Sequence, residues 1–308
     1  MDSRPSLFAV AMVLLAATLW GVGGLFVHRM IGAGLTPVQV AYYSNGLAFL
    51  LLGGGLALFA RGYLAVGWRS LPGLLAVGVV SGGIGALSYT SAVAMTSVSL
   101  AVLLLYTSPA WVVLLGWRLL GEPIERRRVI AVIVAFGWCA LVAQVYDVAA
   151  LRASLIGILY GLLAGFTYAL SSVMSKRVLR QHHPLSVSVY SFCAAALVLL
   201  PLQSAPLPIE VPPQAWPWLI AWIVGVLLIA IFAFNLGLRS LSAGLVSLLI
   251  MWQLIVAIPI GVLVLGDSME LQQVIGALLV IASVLILRPT SSATPPQPAP
   301  LVVEVPAR

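Results

Sequence analysis

One long stretch of the chain occurs twice, and this repeat constrains the fold more than any other feature. Residues 97–128 (SVSLAVLLLYTSPAWVVLLGWRLLGEPIERRR) align without a gap with residues 242–273 (SAGLVSLLIMWQLIVAIPIGVLVLGDSMELQQ), each position shifted by 145. The alignment pairs Ser97 with Ser242, Gly116 with Gly261, Leu120 with Leu265, Gly121 with Gly266 and Glu122 with Asp267. Each copy is an apolar segment that ends in a glycine and an acidic residue and leads into another apolar segment. A repeat of this length predicts that the chain is built from two copies of one structural unit.

The composition excludes a water-soluble fold. Only 7% of the 308 residues are charged and 62% are hydrophobic, whereas soluble proteins carry about 25% charged residues. The apolar runs are continuous and about 20 residues long, which is the length of a membrane-spanning helix. The strands of a transmembrane β-barrel are shorter, about 10 residues, and alternate between apolar and polar side chains. The sequence therefore predicts an all-α polytopic membrane protein.

Ten transmembrane helices fit the apolar pattern, and the charges of the loops orient them. The predicted spans are 6–28, 36–60, 70–94, 97–119, 127–145, 153–178, 184–202, 216–238, 242–265 and 270–288. With the N-terminus in the cytoplasm, the outer loops hold only Arg29 and Arg152 of the 15 Lys and Arg residues. Lys and Arg collect in the cytoplasmic loops of membrane proteins, so this distribution favours cytoplasmic N- and C-termini. It also explains the net charge of +7 without a nucleic-acid partner.

The repeat extends over both halves of the chain. Residues 14–29 align with 162–177, and 36–44 align with 183–191. We interpret 1–147 as the first five-helix repeat, 148–290 as the second, and 291–308 as a disordered cytoplasmic tail. Because each repeat has an odd number of helices, the second enters the membrane from the side opposite to the first. The predicted fold is a five-plus-five inverted repeat, which is typical of secondary transporters.

No Asp, Glu, Lys or Arg lies near the middle of a predicted span, and this absence disfavours several kinds of site. An intramembrane hydrolase needs a carboxylate pair, a nucleophile with a base, or a metal cluster at depth. A carboxylate-based proton antiporter needs an acidic residue within a span, and a site for a phosphorylated sugar needs Arg or Lys. We therefore predict a protein that is not an enzyme and that has no metal and no cofactor.

Polar and aromatic side chains at mid-depth are the candidates for a binding site. The candidate substrate-binding residues are Trp20, Gly24, Ser81, Ser88, Tyr89, Ser108, Trp111, Tyr168, Ser172, Asn235, Trp252 and Gln253. Asn235 and Gln253 are the most informative, because a primary amide within a membrane needs several hydrogen-bond partners. Each aromatic residue could instead belong to the packed core, and each serine could bond to its own helix. Ser108 and Trp111 share one helical stripe of the fourth span, and Tyr106 points elsewhere.

Glycines and prolines within the spans carry alternative interpretations. The GxxxGxxxG pattern of Gly157, Gly161 and Gly165 usually marks close helix packing in lipid. Pro109 and Pro259 interrupt the hydrogen bonding of the two corresponding long helices, so we predict a hinge or kink at each. Broken helices at corresponding positions of two repeats indicate a transport site.

The ten spans, the inverted repeat and the long helix that ends in Gly121-Glu122 resemble the EamA-type drug/metabolite transporter superfamily. The resemblance covers about 6–288, and Gly266-Asp267 departs from the usual Gly-Glu pair in the second copy. Within the superfamily the chain looks most like the YddG-type exporters of aromatic amino acids. The resemblance implies a central cavity lined by spans 1, 3, 4, 6, 8 and 9, and alternating access by rocking of the two halves.

The expected protein is a monomeric multi-pass transporter in the bacterial inner membrane, with the lipid bilayer and a small-molecule substrate as partners. We expect it to export small neutral or zwitterionic metabolites, such as aromatic and other apolar amino acids, and to do so without obligatory proton exchange. A multidrug or nucleotide-sugar transporter of the same fold remains an alternative. A membrane receptor or assembly subunit that transports nothing is an alternative of a different class.

Overall fold

The computed structural model describes residues 7–120, 148–203, 211–241, 249–250 and 252–267, and over these residues the chain is helical and contains no strand. We number the helices in chain order: α1 Leu7–Gly32, α2 Pro37–Phe59, α3 Leu71–Met95, α4 Val98–Leu105, α5 Ser108–Leu120, α6 Val148–Val178, α7 Pro184–Leu199, α8 Trp216–Ser240 and α9 Trp252–Val264. Short 3-10 turns precede α3 and α8 and extend α7. The predicted spans 127–145 and 270–288 and the tail 291–308 lie outside the described residues.

The helices have the length and composition that a bilayer requires. Among the described residues, 6 segments are long and apolar enough to cross a membrane: Leu7–Gly32, Pro37–Phe59, Leu71–Met95, Ser154–Ser175, Pro184–Leu202 and Pro213–Phe234. Each of them overlaps a predicted span. The predicted fourth span is divided into α4 and α5, and α9 is the described part of the predicted ninth. Large apolar side chains such as Leu7, Phe59 and Leu263 remain exposed, as lipid contact requires.

Local sequence determines where the helices begin. Thr36 accepts a hydrogen bond from the Gln39 backbone N–H, while the Gln39 side chain accepts one from Thr36 N, which forms a complete capping box ahead of Pro37. Gly34 adopts a φ of 99° in the turn between α1 and α2, a conformation that suits glycine. These signals make α1 and α2 an antiparallel pair joined by a tight turn.

Contacts between the two halves of the chain define the two ends of the helix bundle. At the first end, the side chains of Gln203 and Gln214 donate to the backbone carbonyls of Val38 and Ala33, at 3.4 and 3.5 Å. At the second end, the Ser186 hydroxyl donates to the Tyr63 carbonyl at 2.7 Å. There the Tyr190 hydroxyl also donates to the Leu64 carbonyl at 2.7 Å.

The halves are also joined through glycines at mid-depth. A Cβ at Gly78 of α3 would collide with the backbone of Ser191 in α7, and a Cβ at Gly161 of α6 would lie 2.7 Å from the Leu104 Cβ of α4. Such contacts bring helix backbones close together, which is how small residues stabilise helix pairs in lipid. The halves therefore pack as one body rather than as separate bundles.

Helices α3 and α8 each contain a π-helical segment, Val79–Gly85 in α3 and Trp222–Ile229 in α8. The repeat offset of 145 places the first segment almost on the second. A π segment shifts the helical phase and leaves backbone carbonyls free for other donors, and such segments are frequent at functional sites. The repeat is thus visible in backbone geometry as well as in sequence.

Candidate functional site

The site is organised around a break in the fourth span. Helix α4 ends at Leu105 and α5 begins at Ser108, with a turn at Tyr106 and Thr107 between them. The sequence explains the break, because Pro109 has no N–H to donate to the Leu105 carbonyl. The Thr107 hydroxyl donates to the Leu104 carbonyl at 2.8 Å and satisfies one of the acceptors at the break.

Tyr106, which was not among the candidate site residues, lies at this break in the protein interior. Only 7% of Tyr106 is exposed. Its hydroxyl donates to the Ile250 carbonyl at 2.8 Å and lies 3.3 Å from Oε1 of Gln253. Gln253, which the sequence predicts as a site residue, is also buried.

Two predicted site residues lie beside Tyr106: Tyr89 of α3 packs against the same apolar core, and Tyr168 of α6 follows by about one turn Gly165, whose backbone meets Thr107 at the break. We call Tyr89, Tyr106, Tyr168 and Gln253 the tyrosine cluster. The cluster joins α3, α6, α9 and the turn that follows α4, which come from both halves of the chain.

Glycines of α1 complete the wall of the tyrosine cluster. A Cβ at Gly24 would lie 3.1 Å from the Tyr89 hydroxyl, and a Cβ at Gly21 would lie 2.9 Å from the Gln253 carbonyl. Larger residues at either position would displace these neighbours. The predicted role of Gly24 at the site therefore has a physical basis: it lets the backbone of α1 approach a phenol hydroxyl.

The chemistry of the tyrosine cluster is polar and uncharged. Phenol hydroxyls donate and accept hydrogen bonds, and a primary amide offers two donors and a carbonyl acceptor. Aromatic faces also provide apolar area that can stack on a ligand ring. The arrangement can bind a neutral or zwitterionic molecule with both polar and apolar parts, because it supplies donors and acceptors without a fixed charge.

The hydrogen bonds and ring contacts of Trp20 and Trp252 are with residues other than those of the tyrosine cluster. The Trp20 indole N–H donates to the Val226 carbonyl in the π segment of α8 at 3.3 Å, and its ring packs against Phe234 with centroids 5.1 Å apart. Trp252 is 43% exposed and donates to the Thr18 hydroxyl at 3.0 Å. Both indoles join α1 to helices of the second half.

Several predicted hydroxyls bond to their own helix. The Ser81 hydroxyl donates to the Val77 carbonyl at 2.8 Å, and the Ser172 hydroxyl donates to the Tyr168 carbonyl at 2.7 Å. This is the local pattern that competes with ligand binding. Ser88 and Ser108 are buried, with 2% and 6% of their surface exposed.

The remaining predicted residues lie on α5, α8 and α9. The ring of Trp111 meets that of Phe166 edge to face, with centroids 5.4 Å apart. Pro259 ends the α-helical part of α9, and a π segment, Ile260–Val264, follows it. The side chains of Asn235 and Pro109 lie outside the described part of the structure.

The GxxxGxxxG residues of α6 pack against the broken span. A Cβ at Gly165 would collide with the Thr107 hydroxyl and lie within 3.1 Å of the Leu104 and Leu105 carbonyls. A Cβ at Gly157 would lie 3.0 Å from Met95 Cβ. This stripe therefore has the packing role that such a pattern usually has in membranes. Its Gly165 contacts the turn that contains Tyr106.

Sequence reasoning missed one buried amide, Asn45 of α2. Its Nδ2 donates to the Ala41 carbonyl at 2.8 Å and to the Gly82 carbonyl, in the π segment of α3, at 3.2 Å. Its signal was available, because it is a mid-span amide like Asn235 and Gln253. The bond to Gly82 connects α2 to α3, the helix that contains Tyr89.

Two other features bear on the chemistry of the site. Within the described ranges, no group of three or more His, Cys, Asp or Glu side chains could hold a metal ion. An apolar cavity of about 290 Å³ lies among α2, α7 and α8 and is lined by residues such as Leu52, Phe192 and Phe232. Its walls are almost entirely hydrocarbon, so it lacks the donors and acceptors of the tyrosine cluster.

Comparison with known proteins gives one family and one fold. The EamA-like transporter family matches residues 7–144 and again residues 155–288. An uncharacterized transporter of Archaeoglobus fulgidus is 27% identical over 281 residues, which cover 91% of this chain and 96% of that protein. A protein known from its crystal structure shares the fold with a TM-score of 0.64 at 17% identity, covering 91% of this chain and 96% of its own.

Proposed function

This chain belongs to the EamA-like transporter family and is a multi-pass membrane protein, and from this premise we propose that it exports small zwitterionic metabolites. The proposed substrates are aromatic and other apolar amino acids, and the proposed location is the bacterial inner membrane. A single chain suffices for this function, because an inverted repeat supplies both halves of the pathway.

The tyrosine cluster is the observation that carries the proposal. An amino acid presents an ammonium group, which donates hydrogen bonds, and a carboxylate, which accepts them. Tyrosine hydroxyls and the Gln253 amide can form hydrogen bonds with both groups without a countercharge. The aromatic rings offer stacking surface to an aromatic side chain. A cation-selective drug site would instead favour a buried carboxylate, and a sugar-phosphate site a buried base.

The proposed topology has ten helices in a five-plus-five inverted repeat, with repeats 1–147 and 148–290 and both termini in the cytoplasm. The described loops support it. The second end carries Arg61, Arg69 and Arg180, whereas Arg29 lies at the first end, where its guanidinium lies 5.8 Å from the centre of the Trp218 ring. By the rule that positive loops stay inside, the second end is the cytoplasmic one.

The proposed mechanism is alternating access around the tyrosine cluster. Its residues come from both halves, so a rocking motion of one half against the other would expose the cluster first to one side and then to the other. The break at Tyr106 and Thr107 and the π segment after Pro259 provide bending points at corresponding helices. Flux would follow the substrate gradient, since no charged group in the described spans would carry a proton with the substrate.

Transport by purified protein in liposomes tests the proposal. Proteoliposomes loaded with labelled phenylalanine, tryptophan or leucine should release label faster than protein-free liposomes, both with and without a pH gradient. The absence of flux for every amino acid would refute the proposed substrate class. Flux of a labelled cationic dye or nucleotide sugar in the same vesicles would favour the alternative transporters, and flux only under a pH gradient would refute the facilitated mechanism.

The variants Trp20→Ala, Trp111→Ala and Gln253→Ala test the proposed site itself. Gln253→Ala should reduce flux most, because Gln253 belongs to the tyrosine cluster, whereas Trp20 contacts Phe234 and the Val226 carbonyl. Protein level in the membrane is measured in parallel. If all three variants transport normally, the assignment of the site is wrong.

A further inference from the structure

We propose that Asp267 is a latch that closes the first end of the transport pathway by binding the N-terminus of α4. The inference rests on the proposed transport function and adds a gate to it. The Asp267 carboxylate accepts a hydrogen bond from the Ser99 backbone N–H at 2.9 Å, across 168 positions of the chain. The contact joins the end of α9 in the second half to the start of α4 in the first half.

The N-terminus of α4 is well suited to hold a carboxylate. The first N–H groups of a helix have no partner within the helix, and the helix dipole favours a negative charge there. The Ser97 hydroxyl satisfies one of these groups by accepting from Leu100 N at 3.1 Å. Asp267 satisfies another from a different element. Removal of this carboxylate would leave Ser99 N without that bond but would keep the local cap of Ser97.

Two glycines build the turn that places Asp267 on α4. Gly266 has a φ of 75°, which glycine adopts without steric cost, and the Asp267 N–H then donates back to the Gly261 carbonyl at 2.9 Å. A Cβ at Gly261 would lie 2.7 Å from the Asp267 carboxylate and would collide with the Ser99 hydroxyl. The close contact between the halves therefore depends on the absence of a side chain at Gly261.

Several residues around this contact recur in the internal repeat, although Ser99, whose backbone N–H makes the bond, pairs with Gly244. Ser97, Gly261, Gly266 and Asp267 correspond to Ser242, Gly116, Gly121 and Glu122 at the offset of 145. The start of one copy of the long helix meets the end of the other copy. A contact of this kind is suited to a gate, since alternating access requires the halves to separate at one end when they close at the other.

Hydrogen exchange of the full-length protein in nanodiscs tests the latch without any substrate. Asp267→Ala, which removes the acceptor, should raise amide exchange in residues 97–105 by about fivefold, the equivalent of one hydrogen bond. It should also lower exchange in 61–64 and 184–190 at the second end, because opening of the first end closes the second. Thr36→Ala is the matched control: it removes a helix cap at the first end that lies within one half. It should raise exchange only in 36–40.

A purely local role predicts a different pattern. If Asp267→Ala raises exchange in 97–105 and leaves the second end unchanged, Asp267 is only a helix cap and the latch is refuted. This readout needs no flux, so it can fail while the proposed function holds, or hold while the proposed substrates fail.

A reversible cross-link tests whether the contact must open during transport. The double variant Ser99→Cys with Asp267→Cys is made in a chain in which Cys139 and Cys193 are replaced by Ala. Oxidation to the disulfide should reduce phenylalanine flux at least tenfold, and a reducing agent should restore it. If the oxidised protein transports as fast as the reduced protein, the contact does not open in the cycle and the latch is refuted.

Discussion

At the scale of single residues, Tyr106 connects the broken fourth span to the predicted ninth span. It is buried, and its hydroxyl reaches both a backbone carbonyl and the Gln253 amide of α9. A substrate that enters the tyrosine cluster would exchange these internal bonds for bonds to itself, so the free protein keeps its polar groups satisfied while the site is empty.

The variant Tyr106→Phe tests this role. It removes the hydroxyl and keeps the ring, so we expect transport to fall by about two- to tenfold, the equivalent of one hydrogen bond worth about 0.5–1.5 kcal/mol. Initial rates in proteoliposomes measure the effect. Tyr190→Phe is the matched control, because it loses a hydroxyl bond to the Leu64 carbonyl at the second end. An equal loss in both variants would contradict a specific role of Tyr106.

The stripe of α6 gives a second prediction at the residue scale. Gly165→Ala places a methyl group against Thr107 and the carbonyls of the broken span, so we expect a destabilisation of about 1–3 kcal/mol from overpacking. Thermal unfolding in detergent measures it. Gly54→Ala is the control, because no atom lies within 4 Å of a Cβ there, and it should leave the melting temperature nearly unchanged. A stable Gly165→Ala protein would show that α4 and α6 can separate.

At the scale of elements, the break between α4 and α5 determines which face of the fourth span meets the other helices. Pro109→Ala restores an N–H that can bond to the Leu105 carbonyl and favours a continuous helix. We expect the variant to fold, to lower hydrogen exchange in 105–110, and to transport more slowly because Tyr106 rotates away from Gln253. Pro37→Ala, at a helix start where no N–H is needed, should transport normally. Unchanged flux in Pro109→Ala would show that transport does not depend on the break between α4 and α5.

The elements also explain how much the sequence could predict. Length and hydropathy identified every span that the described residues contain, because the requirement for about 20 apolar residues is set by the bilayer rather than by tertiary contacts. Tyr106 escaped the sequence analysis because a helical wheel compares residues of one helix, whereas the partners of Tyr106, Ile250 and Gln253, lie in the other half of the chain. The π segments of α3 and α8 likewise depend on tertiary bonds, such as Asn45 to Gly82 and Trp20 to Val226, that no local pattern encodes.

Among the candidate residues, those whose side chains must find hydrogen-bond partners within the membrane were the most predictable. Gln253 is buried and paired, as a mid-membrane amide must be. Ser81 and Ser172 could satisfy themselves on their own helices, so their positions in the sequence did not determine a partner. The fold can be predicted from the length and hydropathy of each span. The site cannot, because it depends on the contacts between spans.

At the scale of the whole molecule, the two ends of the bundle should lie on opposite sides of the membrane. Gly62 and Gln214 are exposed, one near each end, and each can be replaced by Cys in a chain in which Cys139 and Cys193 are Ala. In intact cells, a membrane-impermeant maleimide should label Gln214→Cys but label Gly62→Cys only after permeabilisation. The reason is the excess of Arg near Gly62, which holds that end in the cytoplasm.

The labelling experiment also tests the repeat as a statement about topology. The segments that join α1 to α2 and that precede α8 contact each other through Gln214 and Ala33, so they must share one side of the membrane. Gly32 is exposed, and no atom lies within 4 Å of a Cβ at this position. Gly32→Cys should therefore be labelled from the same side as Gln214→Cys and not from the side of Gly62→Cys. Labelling of all three from outside would contradict the inverted repeat. The reverse pattern would keep the repeat and invert its orientation, and the Asp267 latch would then close the cytoplasmic side.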